Sequence, residues 1–296
     1  MRHFKMKFAS TKFLRTLGPV ALFSLVLGGP WTGELAAQKA AKKKTTTEPP
    51  TVFGTVRPAE TRPEIAIPAD HPLAPAIETA RRGRAALRSV RDYTTTFSKR
   101  ELLAGRVKSQ SMEMKFREQP FSVYFNFRGG AEAGREALYV EGQNGNKLLV
   151  HEDGVKAIAG TIPFAPTHPT VMAENRYPIT KVGISHMLET VIAQWEGETK
   201  YGEVDVKFYP DASLGNVSCI AYESTHPTPR REFRFHLTRL YFDKQTNYPI
   251  RVEQYDWPSG GAKEPPLVEE YTYSNLRVNV GLSDADFDRR NRSYRF

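Results

Sequence analysis

Cysteine is almost absent from the sequence: Cys219 is the only one in 296 residues. No intrachain disulfide can form and no cysteine-rich zinc site exists, so the fold must be held by packing. Long apolar runs are also missing, because the run Pro19–Leu27 is too short to span a bilayer comfortably. With 40% hydrophobic and 25% charged residues, the composition is that of a globular protein with a core. Collagen-like, coiled-coil and multi-span membrane classes are therefore excluded.

Residues 61–296, the body of the chain, have no large excess of positive or negative charge. The formal net charge is +9, but residues 1–60 hold ten Lys and Arg against three Asp and Glu. Subtraction from the totals of 42 and 33 leaves 32 basic and 30 acidic residues in 61–296. A nearly neutral body lacks the basic surface that phosphate contacts require, so the sequence predicts no nucleic-acid partner.

The N-terminus has the three parts of an export signal. Basic residues precede Pro19–Leu27, and the sequence Leu-Ala-Ala that ends at Ala37 offers a cleavage site. We therefore predict a signal peptide at 1–37, a disordered linker rich in Lys, Thr and Pro at 38–69, and a single domain at 70–296. The predicted location is the periplasm or another exported compartment, with no transmembrane span in the mature chain. The alternative is that the leader stays uncleaved as an N-terminal anchor.

Apolar residues at helical spacing predict two amphipathic helices. The first covers about twenty residues from Asp70, the predicted N-cap, to Val90. The second has an apolar stripe from Ile184 to Trp195 and ends at Gly197. Residues 161–181 contain four prolines and no apolar period, which predicts a lid or a surface loop.

The apolar spacing of two that begins at Tyr93 predicts half-buried strands. Short links with turn residues make residues 93–152 a five-stranded antiparallel meander, and further strands follow the second helix. The parity of the apolar residues changes between Leu237 and Leu240, which predicts a bulge or bend in a curved sheet. The predicted fold is mainly β (α+β): a curved antiparallel sheet or unclosed β-barrel of about ten strands, with both helices on its concave face.

Motifs for catalysis and metal binding are scarce. The sequence has no GxSxG, P-loop, GxGxxG or HExxH pattern. His186 and Glu189 have a spacing that two metal ligands on a helix can use, but a solvated helix flank explains them as well. Cys219 lies on the apolar parity of a strand, which predicts a buried structural thiol. We therefore predict no catalytic residue, no metal site and no cofactor.

Methionine and aromatic side chains are concentrated where the sheet and the helices meet. They either fill an ordinary core or line an apolar pocket whose adaptable walls suit an acyl chain. On the second interpretation, the predicted ligand-binding residues are Met112, Met114, Phe116, Phe121, Val123, Phe125, Phe127, Met187, Val191, Trp195, Phe233 and Phe235.

The most distinctive run is the turn between two strands in Leu240–Asp256. The pattern D-x-x-T-x-x-P-x-R begins at Asp243, and the stretch Tyr273–Leu276 and a terminal SDADF element follow it. In this order the chain resembles the lipoprotein carriers and sorting proteins of the LolA/LolB type and, more closely, the planctomycete-type DUF1571 family, over about residues 75–290. The resemblance implies an unclosed antiparallel barrel with helices as a lid over an apolar cavity that faces the periplasm.

The sequence thus predicts an exported, non-enzymatic protein that binds a lipid or acylated ligand and serves lipid or lipoprotein trafficking in the cell envelope. The predicted partners are a lipid or acylated peptide and an envelope protein. One alternative is an envelope scaffold or interaction module with a solid core. Another is a hydrolase whose site lies in 161–181 and includes His168. An interior without room for a hydrocarbon chain would favour the scaffold.

Overall fold

The computed structural model describes residues 64–262 and 264–296, so the predicted signal peptide and most of the predicted linker lie outside the described residues. The alternating segments form eleven strands: β1 (Asp92–Leu103), β2 (Arg106–Arg117), β3 (Ser122–Phe127), β4 (Glu136–Val140), β5 (Leu148–His151), β6 (Thr161–Phe164), β7 (Asp205–Leu214), β8 (Val217–Thr225), β9 (Leu237–Asp243), β10 (Pro249–Tyr255) and β11 (Leu267–Val278). The α-helices of this part are α1 (Ala74–Leu87), α2 (Pro169–Met172) and α3 (Ile184–Glu198). None of them is long and apolar enough to cross a membrane.

All eleven strands belong to one antiparallel sheet, in the order β6-β5-β4-β3-β2-β1-β11-β10-β9-β8-β7. The long-range pairing of β1 with β11 joins the two halves of the sheet and places Tyr93 opposite Val278. The strands β6 and β7 are the two edges, and each pairs with one neighbour, so the sheet is not closed. This confirms the predicted unclosed antiparallel sheet.

The helices α1 and α3 pack against each other and against one face of the sheet. One apolar cluster contains residues of both helices together with residues of every strand from β5 to β8 in the order of the sheet, from Leu148 of β5 to Tyr222 of β8. Strands are spaced about 4.8 Å apart, so a flat sheet could not bring strands so distant in the order to the same two helices. The sheet therefore bends around α1 and α3, and their predicted place on its concave face is confirmed.

The helix α1 is shorter than the sequence predicts. It has 14 residues, and its N-cap is Leu73, whose side chain makes no capping hydrogen bond. Asp70 as the N-cap is wrong, since the local side-chain acceptor is His71, whose Nδ1 lies 3.1 Å from the Leu73 amide nitrogen. Pro75 lies in the first turn of the helix, where the missing amide N–H costs no intrahelical hydrogen bond.

Two details of the second half also differ from the prediction. Residues 161–181 are not a loop throughout, because Thr161–Phe164 forms the edge strand β6 and α2 follows it. Four residues are too few to show a period. The parity change before Leu240 is not a bulge: β9 begins at Leu237, and the buried Phe233 and Phe235 precede it in an irregular segment.

The C-terminal segment covers the outer face of β3, β4 and β5. Ser283 and Asp286 form a capping box, as the SDADF element predicts, with Ser283 N donating to Asp286 Oδ2 at 2.9 Å. Phe287 packs in a second apolar cluster with Tyr124, Leu138, Val140 and Leu149. This part of the sheet is therefore covered on both faces.

The described end of the predicted linker contacts α1. Arg84 Nη2 lies 2.5 Å from Glu64 Oε1, and Arg81 Nη2 donates to the Ile65 carbonyl at 2.6 Å. Ile67 packs against the apolar cluster under the helix. Residues 64–67 thus fasten the start of the described chain to the outer side of α1.

Candidate functional site

Ten of the twelve predicted ligand-binding residues meet in the apolar cluster between the sheet and the helices. Eight are buried there and two pack against it half-buried: Met112, Met114, Phe116, Phe121, Val123, Phe125, Val191 and Trp195, then Phe127 and Met187. They come from the β2–β3 hairpin on one side and from α3 on the other. The sequence therefore identified residues that meet in space, and the presence of a ligand among them stays a prediction.

Antiparallel pairing places the sheet residues of this cluster. Met114 of β2 lies opposite Phe125 of β3, and Met112 lies opposite Phe127. Opposite residues of an antiparallel pair point to the same face, so their side chains form one apolar surface. Phe97 of β1 extends this surface, because its ring centroid lies 5.9 Å from that of Phe125.

The helix α3 supplies the facing apolar surface. Its residues Leu188 and Trp195 are fully buried, at 0% exposure. Hydrogen bonds to side chains of the sheet fix the helix: Trp195 Nε1 donates to Ser224 Oγ at 3.0 Å, the Ile184 amide donates to Tyr93 Oη at 3.2 Å, and Gln194 Nε2 donates to Thr238 Oγ1 at 3.0 Å. Each of these bonds joins residues far apart in the chain, so the position of α3 depends on tertiary contacts.

The two remaining predicted residues, Phe233 and Phe235, are buried outside this cluster. Phe233 stacks on His226 with the ring centroids 3.8 Å apart. The guanidinium carbon of Arg234 lies 5.1 Å from the centroid of the Phe235 ring. Both aromatic residues belong to the irregular connection between β8 and β9, so the structure does not bring them to the other ten.

Two cavities are formed by other residues at the surface. The larger, about 530 Å³, is lined by Tyr209, Pro210, Asp211, Ala212, Ser213, Ala221, Arg239 and Tyr241. The smaller, about 380 Å³, is lined by Gln143, Asn144, Asp284, Asp288, Arg289 and Arg290. Neither contains any of the twelve predicted residues, so neither is the apolar pocket that the sequence predicts.

The concave face of the sheet changes from apolar to charged toward one end. Lys99 and Glu101 of β1 continue the face that carries Tyr93 and Phe97, and Glu269 of β11 lies opposite Glu101. These three charged residues are at most 7% exposed. Sequence reasoning missed them, although the signal was present, since the odd-numbered alternation from Tyr93 runs on without a break into Lys99 and Glu101.

The segment after α2 is tied to these charges. Lys99 Nζ donates to Asn175 Oδ1 at 2.5 Å and to Glu101 Oε2 at 2.8 Å. Arg176 Nε donates to Glu269 Oε2 at 2.6 Å, and the Tyr177 hydroxyl donates to Glu269 Oε1 at 2.9 Å. We call this group the polar latch: Lys99, Glu101, Asn175, Arg176, Tyr177 and Glu269. It holds residues 165–181 down on one end of the concave face.

Burial opposes ionisation in the polar latch. It lowers the pKa of Lys99, although the Glu101 carboxylate acts in the other direction. It raises the pKa of Glu269, although the Arg176 guanidinium acts against this. Charges removed from water in this way are tolerable only while their partners stay in place. The latch therefore holds as a unit, and the loss of one partner leaves a buried charge uncompensated.

The residues considered for catalysis or metal binding are engaged in local hydrogen bonds or ion pairs, or are buried. His168 Nδ1 accepts the backbone N–H two residues on, 3.2 Å away, at the start of α2. Burial lowers the pKa of His186, whereas Glu189 lies 3.6 Å from Arg84. Cys219 is buried, as predicted, and burial raises the pKa of its thiol. Among the described residues, no three His, Cys, Asp or Glu side chains are grouped so as to hold a metal ion.

Solved structures similar to the chain include a lipoprotein and a LolA superfamily protein. The chain is 13% identical to the Mycobacterium tuberculosis lipoprotein LppX, with 70% of this chain and 99% of that chain covered and a TM-score of 0.40. For a LolA superfamily protein from Nitrosomonas europaea the values are 12%, 71%, 96% and 0.30. For LprF from Mycobacterium bovis they are 10%, 70%, 94% and 0.38. No curated protein matches the sequence.

A family model covers most of the described chain. The model, described as "Protein of unknown function (DUF1571)", matches residues 90–296. This range begins just before β1 and includes the whole sheet, the polar latch, α3 and the pattern that begins at Asp243, on which the resemblance was based. Because the match spans more than half of the sequence, the chain belongs to the DUF1571 family.

Proposed function

We propose that the protein is an exported, non-enzymatic binding protein that takes up one acyl chain, from a lipid or an acylated peptide, between the sheet and its cover. The cover consists of α1, α3 and residues 165–181. The observation that carries the proposal is the continuous apolar surface of Met and Phe side chains on β1, β2 and β3, which faces α3. Methionine and phenylalanine walls adapt to a flexible hydrocarbon better than branched side chains do.

Uptake on this proposal involves movement of the cover, since the apolar surface of the sheet is buried in the same cluster as α1 and α3. Within the described residues no backbone–backbone hydrogen bond joins α1 or α3 to a strand. The helix α3 is held on the sheet by bonds to side chains, which include those of Trp195, the Ile184 amide and Gln194, and residues 165–181 are held by the polar latch. Displacing the cover therefore leaves every strand pair of the sheet intact.

The free energy lost when α3 leaves the sheet is similar in size to the free energy gained when an acyl chain is buried in its place. The helix α3 buries five large apolar side chains, Ile184, Leu188, Val191, Ile192 and Trp195. At about 2 kcal/mol for each, their exposure would cost about 10 kcal/mol. An acyl chain that buries about twelve methylenes at about 0.8 kcal/mol each gains about 10 kcal/mol. A hydrocarbon chain can therefore replace the helix face at little net cost, whereas a small polar ligand cannot.

A photoreactive fatty acid tests this proposal. Palmitic acid with a diazirine near its methyl end should label peptides from 106–127 and 184–198, and an excess of unlabelled palmitate should abolish the labelling. Val191→Glu should prevent labelling, because it places a charge in the apolar cluster. Ala193→Glu, which adds the same charge on the half-buried flank of α3, is the matched control and should keep it. Labelling that does not saturate, or that is confined to the two surface cavities, would overturn the proposal.

The second candidate function is an envelope scaffold with a solid core. The observation that favours it is the location of the two cavities, which both lie at the surface and contain none of the residues of the apolar cluster. A scaffold predicts that protein purified from its own envelope carries no lipid in native mass spectrometry and that palmitate does not protect it from unfolding. An acyl-binding protein predicts one bound chain and a raised melting temperature.

A further inference from the structure

One end of the β1–β6 half of the sheet gathers three loops. In an antiparallel meander every second turn lies at the same end. The turn 104–105, the loop 128–135 and the loop 152–160 therefore share one end of this half. The same end holds Lys108 and Arg135, which bind Glu174 next to the polar latch. We call the three loops the loop end.

Two aliphatic side chains project from the loop end into solvent. Val155 is 85% exposed and Ile158 is 88% exposed, whereas the other exposed large apolar residues of the described chain lie between 37% and 50%. Both belong to the 3-10 turn Gly154–Ala159. Residues three apart on such a turn lie on the same side. Val107, which is 46% exposed, stands at the start of β2 at the same end.

The acidic side chains of the loop end are engaged in ion pairs. Glu132 pairs with Lys108 at 2.8 Å, and Glu152 pairs with Arg135 at 2.9 Å. Asp153 pairs with Arg295. Because Glu174 shares Lys108 and Arg135 with Glu132 and Glu152, these pairs carry one excess negative charge.

Three basic side chains of the loop end remain available. Arg106, Arg128 and Lys156 are exposed, one on each loop or beside it, and none of them has an ion-pair partner within residues 64–262 and 264–296. The loop end therefore combines a projecting aliphatic pair with unpaired positive charge. This is the combination that binds the interface of an anionic bilayer, where aliphatic groups enter the headgroup region and cations meet the lipid phosphates.

We propose that the loop end docks on an anionic phospholipid bilayer, with Val155 and Ile158 inserted at the interface and Arg106, Arg128 and Lys156 over the headgroups. Docking in this orientation turns the end of the sheet that carries the polar latch toward the lipid. The inference goes beyond acyl uptake and does not depend on it, because the contacts involve the outside of the loops only. Docking and uptake can therefore succeed or fail separately.

A fluorophore placed at the tip tests the docking directly. The full chain carries Ile158→Cys labelled with an NBD group, and the buried Cys219 is spared by the reagent. Vesicles of phosphatidylcholine with one quarter phosphatidylglycerol should shift the emission to the blue, and pure phosphatidylcholine vesicles should not. A control label at Val280→Cys should not respond, because Val280 follows β11 at the opposite end of the sheet. A concentrated salt solution should weaken the response, because exposed charges are screened.

Removal of one positive charge from the loop end makes the test of vesicle binding quantitative. Lys156→Gln in the labelled chain should raise the lipid concentration at half-maximal shift about fivefold, as expected for the loss of one cation near an anionic surface. Sedimentation with the vesicles without any shift at position 158 would assign membrane binding to the basic N-terminus and overturn the proposal. A shift that appears without vesicles and grows with protein concentration would show that a second copy covers the tip, and would overturn it as well.

Discussion

At Gly83 the helix α1 lies close to the sheet. A Cβ at this position would lie 3.0 Å from the Asn247 carbonyl oxygen and 3.0 Å from Phe242 Cε1. Asn247 belongs to the β9–β10 turn, which carries the pattern that begins at Asp243. The close packing of α1 on this turn therefore depends on the absence of a side chain at Gly83. We expect Gly83→Ala to push the helix off this turn.

Two effects of Gly83→Ala oppose each other. Alanine stabilises a helix interior relative to glycine by about 1 kcal/mol. Overpacking of a filled site costs about 1–3 kcal/mol. One of the two nearest atoms is a backbone oxygen of a short turn, which cannot rotate away as the end of a long side chain can. We therefore expect overpacking to win and the free energy of unfolding to fall by about 1 kcal/mol.

Gly197 of α3 provides the matched control. A Cβ there would have no heavy atom outside the helix backbone within 4 Å. Gly197→Ala should therefore show the propensity gain alone and raise the free energy of unfolding by up to about 1 kcal/mol. Urea unfolding followed by tryptophan fluorescence should separate the two variants by about 2 kcal/mol. If Gly83→Ala stabilises the protein as much as Gly197→Ala does, α1 does not rest on the β9–β10 turn.

Three further predictions concern the latch, the outer face and pH. Arg176→Met should cost about 3 kcal/mol, because it leaves Glu269 buried with its main counter-charge removed. Phe287→Ala should cost about 3 kcal/mol, since the ring is 1% exposed at the centre of the outer cluster. Burial lowers the pKa of His226, but the Glu198 carboxylate outweighs it and the pKa lies above 6.5. The stabilisation from this pair is complete below pH 6.5 and is lost as the pH rises through the folded-state pKa.

Each of these predictions has a measurement that can contradict it. Adding Glu269→Gln to Arg176→Met should recover part of the lost stability in urea unfolding, and no recovery would mean that the two side chains act independently. Phe287→Ala should leave hydrogen exchange in α3 unchanged, because α3 lies on the other face of the sheet. For the pH prediction, the unfolding free energy of the wild type should fall above pH 6.5 more steeply than that of His226→Gln. Parallel curves would contradict the assigned pair.

The sequence also contains a signal for the buried charged residues of β1, which an analysis of apolar residues alone does not detect. The alternation of β1 carries Tyr93, Phe97, Lys99 and Glu101 on one face, but a charged residue at a core parity looks like the end of a buried strand. Only the partners on the 165–181 segment, above all Asn175, show why these charges can be buried. These partners lie far away along the chain, so no local pattern reveals them.

The sequence by itself determined the class of the fold, the ten residues that meet between the sheet and α3, and the family. These features depend on local periodicity, which survives in a single strand or helix because side-chain direction follows the backbone repeat. Only the tertiary structure decided the pairing of β1 with β11, the polar latch and the separation of Phe233 and Phe235 from the apolar cluster. Each of these joins segments that are far apart in the chain, or falls where the backbone leaves its regular repeat. Such contacts are selected by packing and charge compensation across the whole sheet, which no single stretch of sequence records.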